Sequence, residues 1–102
     1  MKLKWTEPAV SDLQNIREYI KKDSEHYASR FVEKIIETTE NLLKFPDMGR
    51  NVPESDAENI MELLFHNYRI IYRAEDDRIL ILTILHGARD LSRHEQKPWD
   101  IA

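Results

Sequence analysis

The feature that most constrains this chain is a pair of apolar runs separated only by Asp76-Asp77, in the stretch YRIIYRAEDDRILILTILHGARDLSR from Tyr68 to Arg93. β-Branched and aromatic residues dominate both runs, and the acidic break is short. That pattern predicts a β-hairpin with a tight loop. The segment from Ile60 to Phe65 adds a third strand, with His66-Asn67 as its connecting turn.

A two-residue loop at Asp76-Asp77 sets the register. Glu75 then faces Arg78, Arg73 faces Leu80, Ile71 faces Leu82 and Arg69 faces Ile84. A two-residue loop at His66-Asn67 sets Phe65 opposite Tyr68 and Leu64 opposite Arg69. Side chains alternate across a sheet, so two faces follow. The first carries Met61, Leu63, Phe65, Tyr68, Ile70, Tyr72, Ile79, Ile81, Thr83 and Leu85. The second carries Ile60, Glu62, Leu64, Arg69, Ile71, Arg73, Leu80, Leu82, Ile84 and His86. Both are apolar, whereas a sheet with one solvated face alternates clearly between apolar and polar residues. Helices from earlier in the chain can cover the first face. The second needs cover from the tail or from a partner. Its arginine-edged apolar surface suits the core and rim of an interface, and Leu82 is expected to serve that interface more than the fold.

Helical spacing identifies the cover for the first face. Thr6 offers an N-cap oxygen and Pro8 suits a first turn. Val10, Leu13, Ile16 or Arg17, and Ile20 recur through residues 8–22. Asp23 or Ser24 caps a second helix, in which Ala28, Phe31, Val32, Ile35, Thr39, Leu42 and Leu43 form one stripe that ends before Pro46 and Gly49. The short break between the helices implies an antiparallel helical hairpin. Residues 2–5 read as a short edge strand, and residues 46–59 as one long loop rich in acidic charge. Tyr19, Tyr27, Phe31 and Trp5 read as core or core-edge. The expected fold is α+β, an N-terminal helical hairpin packed on one face of a small antiparallel β-sheet, in a single domain over residues 1–102.

Composition narrows the function classes. The 102 residues carry a net charge of −4, whereas nucleic-acid-binding domains are usually basic. Without cysteine there is no disulfide, thiol nucleophile or cysteine metal site. His26, His66 and His94 are too scattered to suggest zinc, so no metal and no cofactor is expected. No window reaches the roughly 18 apolar residues of a membrane span; no membrane association is expected, and the cytoplasm is the expected location. Arg69 and Arg73 flank Glu62 on the second face. They read either as a cross-strand charge cluster or as anchors for a partner's carboxylate. His86, diagonal to Arg69 in this register, reads as structural or as an acid–base group.

An N-terminal strand and helical hairpin, then Pro46-x-x-Gly49-Arg50, Tyr68-Arg69-Ile70-Ile71-Tyr72 and a closing His86-Gly87-Ala88-Arg89-Asp90-Leu91, resemble the ParE/RelE superfamily of bacterial type II toxins, on the ParE branch. The resemblance covers nearly the whole chain and implies a plasmid-stabilisation toxin whose sheet is wrapped by the C-terminal segment of a cognate antitoxin. On this chain the antitoxin-binding residues would be Glu62, Leu64, Arg69, Ile71, Arg73, Leu80, Leu82 and Ile84. Target-binding candidates are His86, Arg89, Arg93 and Trp99. ParE-like members are associated with poisoning DNA gyrase, and RelE-like members cut mRNA on the ribosome. Arg69 and Arg89 match the two arginine positions of the cutting branch, and with His86 they are the candidate catalytic set if the chain is a nuclease. The lysine-bearing loop of that branch corresponds to residues 50–58, which here hold Arg50, Glu54, Asp56 and Glu58 but no lysine, and the late tyrosine falls near Glu95. The resemblance therefore implies a gyrase-directed toxin without catalytic residues, touching DNA only through its antitoxin. A ribosome-dependent endoribonuclease is the alternative. A third reading, a degenerate non-toxic interaction module, draws on the acidic loop and on Met61, which stands where the ParE pattern carries an arginine.

Overall fold

The computed structural model describes residues 1–87, 91 and 97–101. The chain runs β1 (Lys2–Trp5), α1 (Glu7–Lys21), α2 (Glu25–Glu40), a 3-10 turn (Asn41–Leu43), β2 (Arg50–Asn51), β3 (Ile60–Phe65), β4 (Tyr68–Ala74), β5 (Arg78–His86) and α3 (Pro98–Ile101). The sheet order is β1-β5-β4-β3-β2. This is the expected α+β architecture, with two additions. β1 pairs with β5 in parallel, so the sheet is mixed. The long loop contributes the two-residue strand β2, antiparallel to β3.

Each helix starts where its cap residue stands. Thr6 accepts the Ala9 backbone N–H at 3.3 Å and Ser24 accepts that of Tyr27 at 3.1 Å, which relieves part of the unpaired first turn. The hairpin presses Ala9, Ile16, Phe31, Ile35 and Leu42 onto Met61, Leu63, Ile70, Tyr72, Ile79 and Ile81 of the first sheet face. The inward residue at the start of α1 is Ala9, fully buried, while Val10 is 40% exposed. Tyr19 and Tyr27, expected at the core edge, stand largely in solvent.

The strand register follows the expected one from both turns up to a single point. Phe65 faces Tyr68, Leu64 faces Arg69, and Arg73 faces Leu80. Tyr72 faces Ile81, but its neighbour Ile71 faces Thr83, so Leu82 is an extra residue, a β-bulge. Beyond it the faces exchange. Ile84, expected on the second face, joins the helix-side core, and Leu85 moves to the second face. His86 lies opposite Tyr68, with ring centroids 6.1 Å apart, and not on the Arg69 face.

The bulge is matched by polar groups of the N-terminal segment. Asp12 on α1 accepts the Thr83 hydroxyl and, at 3.1 Å, the Ile84 backbone N–H. The Thr6 hydroxyl lies 2.8 Å from the Ile81 carbonyl and 3.1 Å from that of Leu82. Backbone groups freed by the irregular ladder thus find partners on the N-terminal segment, as buried polar groups must. Asp12→Ala is expected to cost about 1–3 kcal/mol, the penalty for leaving such groups unsatisfied, read as a lower urea midpoint with unchanged slope. A midpoint equal to that of the parent chain would mean that the bulge holds without Asp12.

Candidate functional site

The second sheet face is closed by the protein's own chain. Val52 from the loop after β2, together with Leu91 and Trp99, packs on Ile60, Ile71, Leu80, Leu82 and Leu85. Of the two covers considered for this face, tail or partner, the tail and the long loop serve. Ile71, Leu80 and Leu82 are therefore core residues of the free chain, and Leu82 is only 2% exposed. The expectation that Leu82 serves an interface more than the fold is corrected here, because the cover comes from segments distant in sequence. Among the expected antitoxin-binding residues, Leu64 stays largely exposed at 58% and Arg73 is half-buried.

Charge on this face is organised around Arg69. Its Nη1 and Nη2 donate to Glu54 at 2.9 and 2.7 Å, a bidentate pair. Its Nε donates to Glu62 at 2.7 Å, and the other Glu62 oxygen accepts from Arg50 Nε at 2.8 Å. Glu54, Arg69, Glu62 and Arg50 form a neutral chain of alternating sign. The Glu62 side chain is wholly buried and that of Arg69 nearly so, while Arg50 reaches solvent. Both readings of Arg69 missed Glu54. Glu54, in the acidic loop, is the main partner, and its Oε2 also accepts the Leu91 N–H at 3.2 Å. The network thus ties the loop, the sheet and the C-terminal segment together. Arg73 takes no part in these contacts; its Nε lies 3.4 Å from Glu75.

The Arg69 guanidinium holds the Glu54 carboxyl well below the usual carboxylate range, at about 2; burial opposes this and the Leu91 N–H reinforces it. A carboxyl whose pKa is depressed on folding adds stability that is fully present above its unfolded value near 4.5 and is lost as pH falls toward 2. About 3 kcal/mol is at stake over that window. Urea titrations at descending pH should show this loss in the parent chain and a flatter dependence in Glu54→Gln. Superimposable curves would remove Glu54 from the network.

The sequence motifs meet at Tyr72. Its hydroxyl donates to the Pro46 carbonyl at 3.1 Å and accepts the Gly49 N–H at 3.2 Å. Burial pushes its pKa up, so it stays protonated and able to donate. A Cβ on Gly49 would stand 2.5 Å from both the Tyr72 hydroxyl and the Glu62 carbonyl, so only glycine fits there. The spacing Pro46-x-x-Gly49-Arg50 therefore docks the loop on β4 through Tyr72 and delivers Arg50 to Glu62. Met61 is buried on the helix side, its Sδ 3.7 Å from the Tyr72 hydroxyl. It serves as core.

The remaining candidates divide. His86 is exposed and on the sheet face opposite to Arg69. Trp99 is half-buried against the second core. Arg89, Arg93, His94 and Glu95 lie outside the described residues. Among the described residues no cluster of histidines and carboxylates could hold a metal ion, and no helix is long and apolar enough to cross a membrane.

The overall fold is shared with chains of solved bacterial toxin–antitoxin systems. The RelBE2 complex of Mycobacterium tuberculosis contains a chain of this fold, with TM-score 0.63 and 19% identity over 83% of this chain and 95% of that one. A chain of the chromosomal ParDE system of P. aeruginosa is more similar, with TM-score 0.70 and 27% identity over 84% and 95%. The Sinorhizobium fredii (strain NGR234) protein described as "Putative toxin Y4kP" is 31% identical over 99 residues, 95% of this chain and 93% of the relative. Residues 3–91 match the family described as ParE toxin of type II toxin-antitoxin system, parDE. The chain belongs to the ParE toxin family. The matched span contains all four members of the charge network and the five-stranded sheet apart from Lys2, the first residue of β1.

Proposed function

We propose that this ParE-family toxin acts by binding a protein target, DNA gyrase, and is held inactive by a cognate antitoxin. One observation supports binding over RNA cleavage. Arg69 spends its guanidinium on two carboxylates inside the fold, and His86 stands on the other sheet face. Phosphate stabilisation and proton transfer at one scissile bond require such groups to converge, and these two diverge. Glu54, beside Arg69, would also repel an RNA phosphate. Antitoxin contact is assigned to the members of the expected set that reach solvent, exposed Leu64 and half-buried Arg73. The buried members Glu62, Arg69, Ile71, Leu80 and Leu82 support that surface from beneath, and Ile84, turned to the helix-side core, drops out of the set. His86, with Arg89, Arg93 and Trp99, remains the proposed target contact. The complex works in the cytoplasm, contributes to plasmid stabilisation, and meets DNA through the antitoxin, since the toxin chain is itself acidic.

The test uses the purified full chain in two assays. Blocked supercoiling by gyrase with intact message in a translating extract supports the proposal. Cleaved message with normal supercoiling overturns it in favour of an endoribonuclease. Unimpaired growth on expression without any antitoxin overturns it in favour of a non-toxic interaction module.

A further inference from the structure

A groove on the helix side of the molecule, at the edge of the first core, takes no part in the charge network. It lies between α2 and the turn that joins β3 to β4 and encloses about 360 Å3, the scale of a small recognition cleft. Its floor is aromatic. Phe31 and Phe65 meet edge-on with ring centroids 5.3 Å apart, and Tyr27, 54% exposed, stands 6.0 Å from Phe31. His66 closes one end with its ring 4.5 Å from that of Phe65.

The rim has one sign of charge. His26, Arg30 and Lys34 follow at four-residue spacing along α2 and all line the groove, so they form a single stripe beside the Tyr27–Phe31 stripe. Arg30 and Lys34 are exposed. No carboxylate is among the described residues that line the groove. Lys34 Nζ lies 3.8 Å from the exposed carboxylate of Glu37, a pairing that a ligand can displace at little cost. In a chain of net charge −4, this is a local concentration of cations over an apolar floor.

We propose that this groove binds an acidic peptide segment of a protein partner. An apolar side chain of the segment lies on Phe31 and Phe65, and neighbouring carboxylates pair with Arg30 and Lys34. Arginine suits a carboxylate because its donors match both oxygens. A single-stranded nucleic acid fits less well. Successive bases need open ring faces to stack on, whereas these rings lean on one another at 41° and 62°. A polyphosphate would also run past the groove onto an acidic protein, while a peptide needs only its few carboxylates matched. The proposal stands whether or not gyrase is the toxin's target, since none of the residues that line the groove is assigned to that contact.

The probe is a fluorescent peptide in which Glu and Asp alternate with Leu and Phe, titrated by anisotropy with the full chain. Saturable binding is expected. It should weaken at least about tenfold in the double variant Arg30→Glu, Lys34→Glu, and comparably when the carboxylates of the peptide are replaced by amides. Both variant positions are exposed, so the melting curve should be retained. Tyr27→Ala, which keeps every charge, should also weaken binding. A control with the same charge change elsewhere, Lys2→Glu with Lys21→Glu, should retain it. Absence of saturable binding, equal binding of the amide peptide, an equal loss in the control, or tighter binding of oligothymidylate would overturn the proposal.

Discussion

Replacing Arg69 with alanine is expected to lower the stability of the free chain by about 3–5 kcal/mol, the usual consequence of removing one partner from a buried ion pair. Glu62 would keep its bond to Arg50 while its side chain stays wholly buried. Glu54 would lose both guanidinium bonds and keep the Leu91 N–H. The attraction lost is not the whole effect. Two carboxylates on one face would face each other in a poorly hydrated setting, and their mutual repulsion adds to the desolvation. For a domain of this length each kcal/mol moves the melting temperature by roughly 4–8 °C, so a fall of about 12–40 °C should appear in thermal denaturation without any partner present. A surface anchor would behave differently. It would leave the melt of the free chain in place and weaken only the complex.

Leu82→Asp is expected to unfold the free chain or bring it close to unfolding. Leu82 is packed among Ile60, Ile71, Leu80, Leu85 and Leu91. Truncation of such a leucine to alanine costs about 2–5 kcal/mol, and an unpaired carboxylate in the same place costs more. Domains of this size have about 5–15 kcal/mol in total. Loss of the cooperative melt in circular dichroism is the expected reading. A normal melt would mean that the second face opens freely and that Leu82 is available to a partner.

The sequence made most of the fold legible because its determinants are local. Thr6 and Ser24 start the helices, the acidic pair Asp76-Asp77 turns the hairpin, and the register near each turn follows from loop length. Legibility ended where a local pattern met a distant partner. Strict alternation assumes an unbroken ladder, and the bulge at Leu82 depends on Asp12, 71 residues before Thr83. The one polar residue inside ILILTIL, Thr83, was the available signal, since a buried hydroxyl needs a partner. Closure of the second face depends on Val52, Leu91 and Trp99, each an isolated apolar residue in a polar setting, and such residues do not announce which surface they cover. Charge was misread for the same reason. Glu54 in an acidic loop looks solvated until the loop folds back over the sheet, so Arg69 was divided between a weak surface cluster and an interface anchor. It belongs to a buried internal network.

A double-mutant cycle between Glu54 and Arg69, measured by urea unfolding of the isolated chain near neutral pH, tests that network most directly. With Glu54→Gln, Arg69→Met and the double variant, the two losses should be non-additive by about 2–3 kcal/mol, the upper range for residues in direct contact. Additive losses would show that the two side chains do not meet in the free protein and would return Arg69 to the surface as a group waiting for a partner.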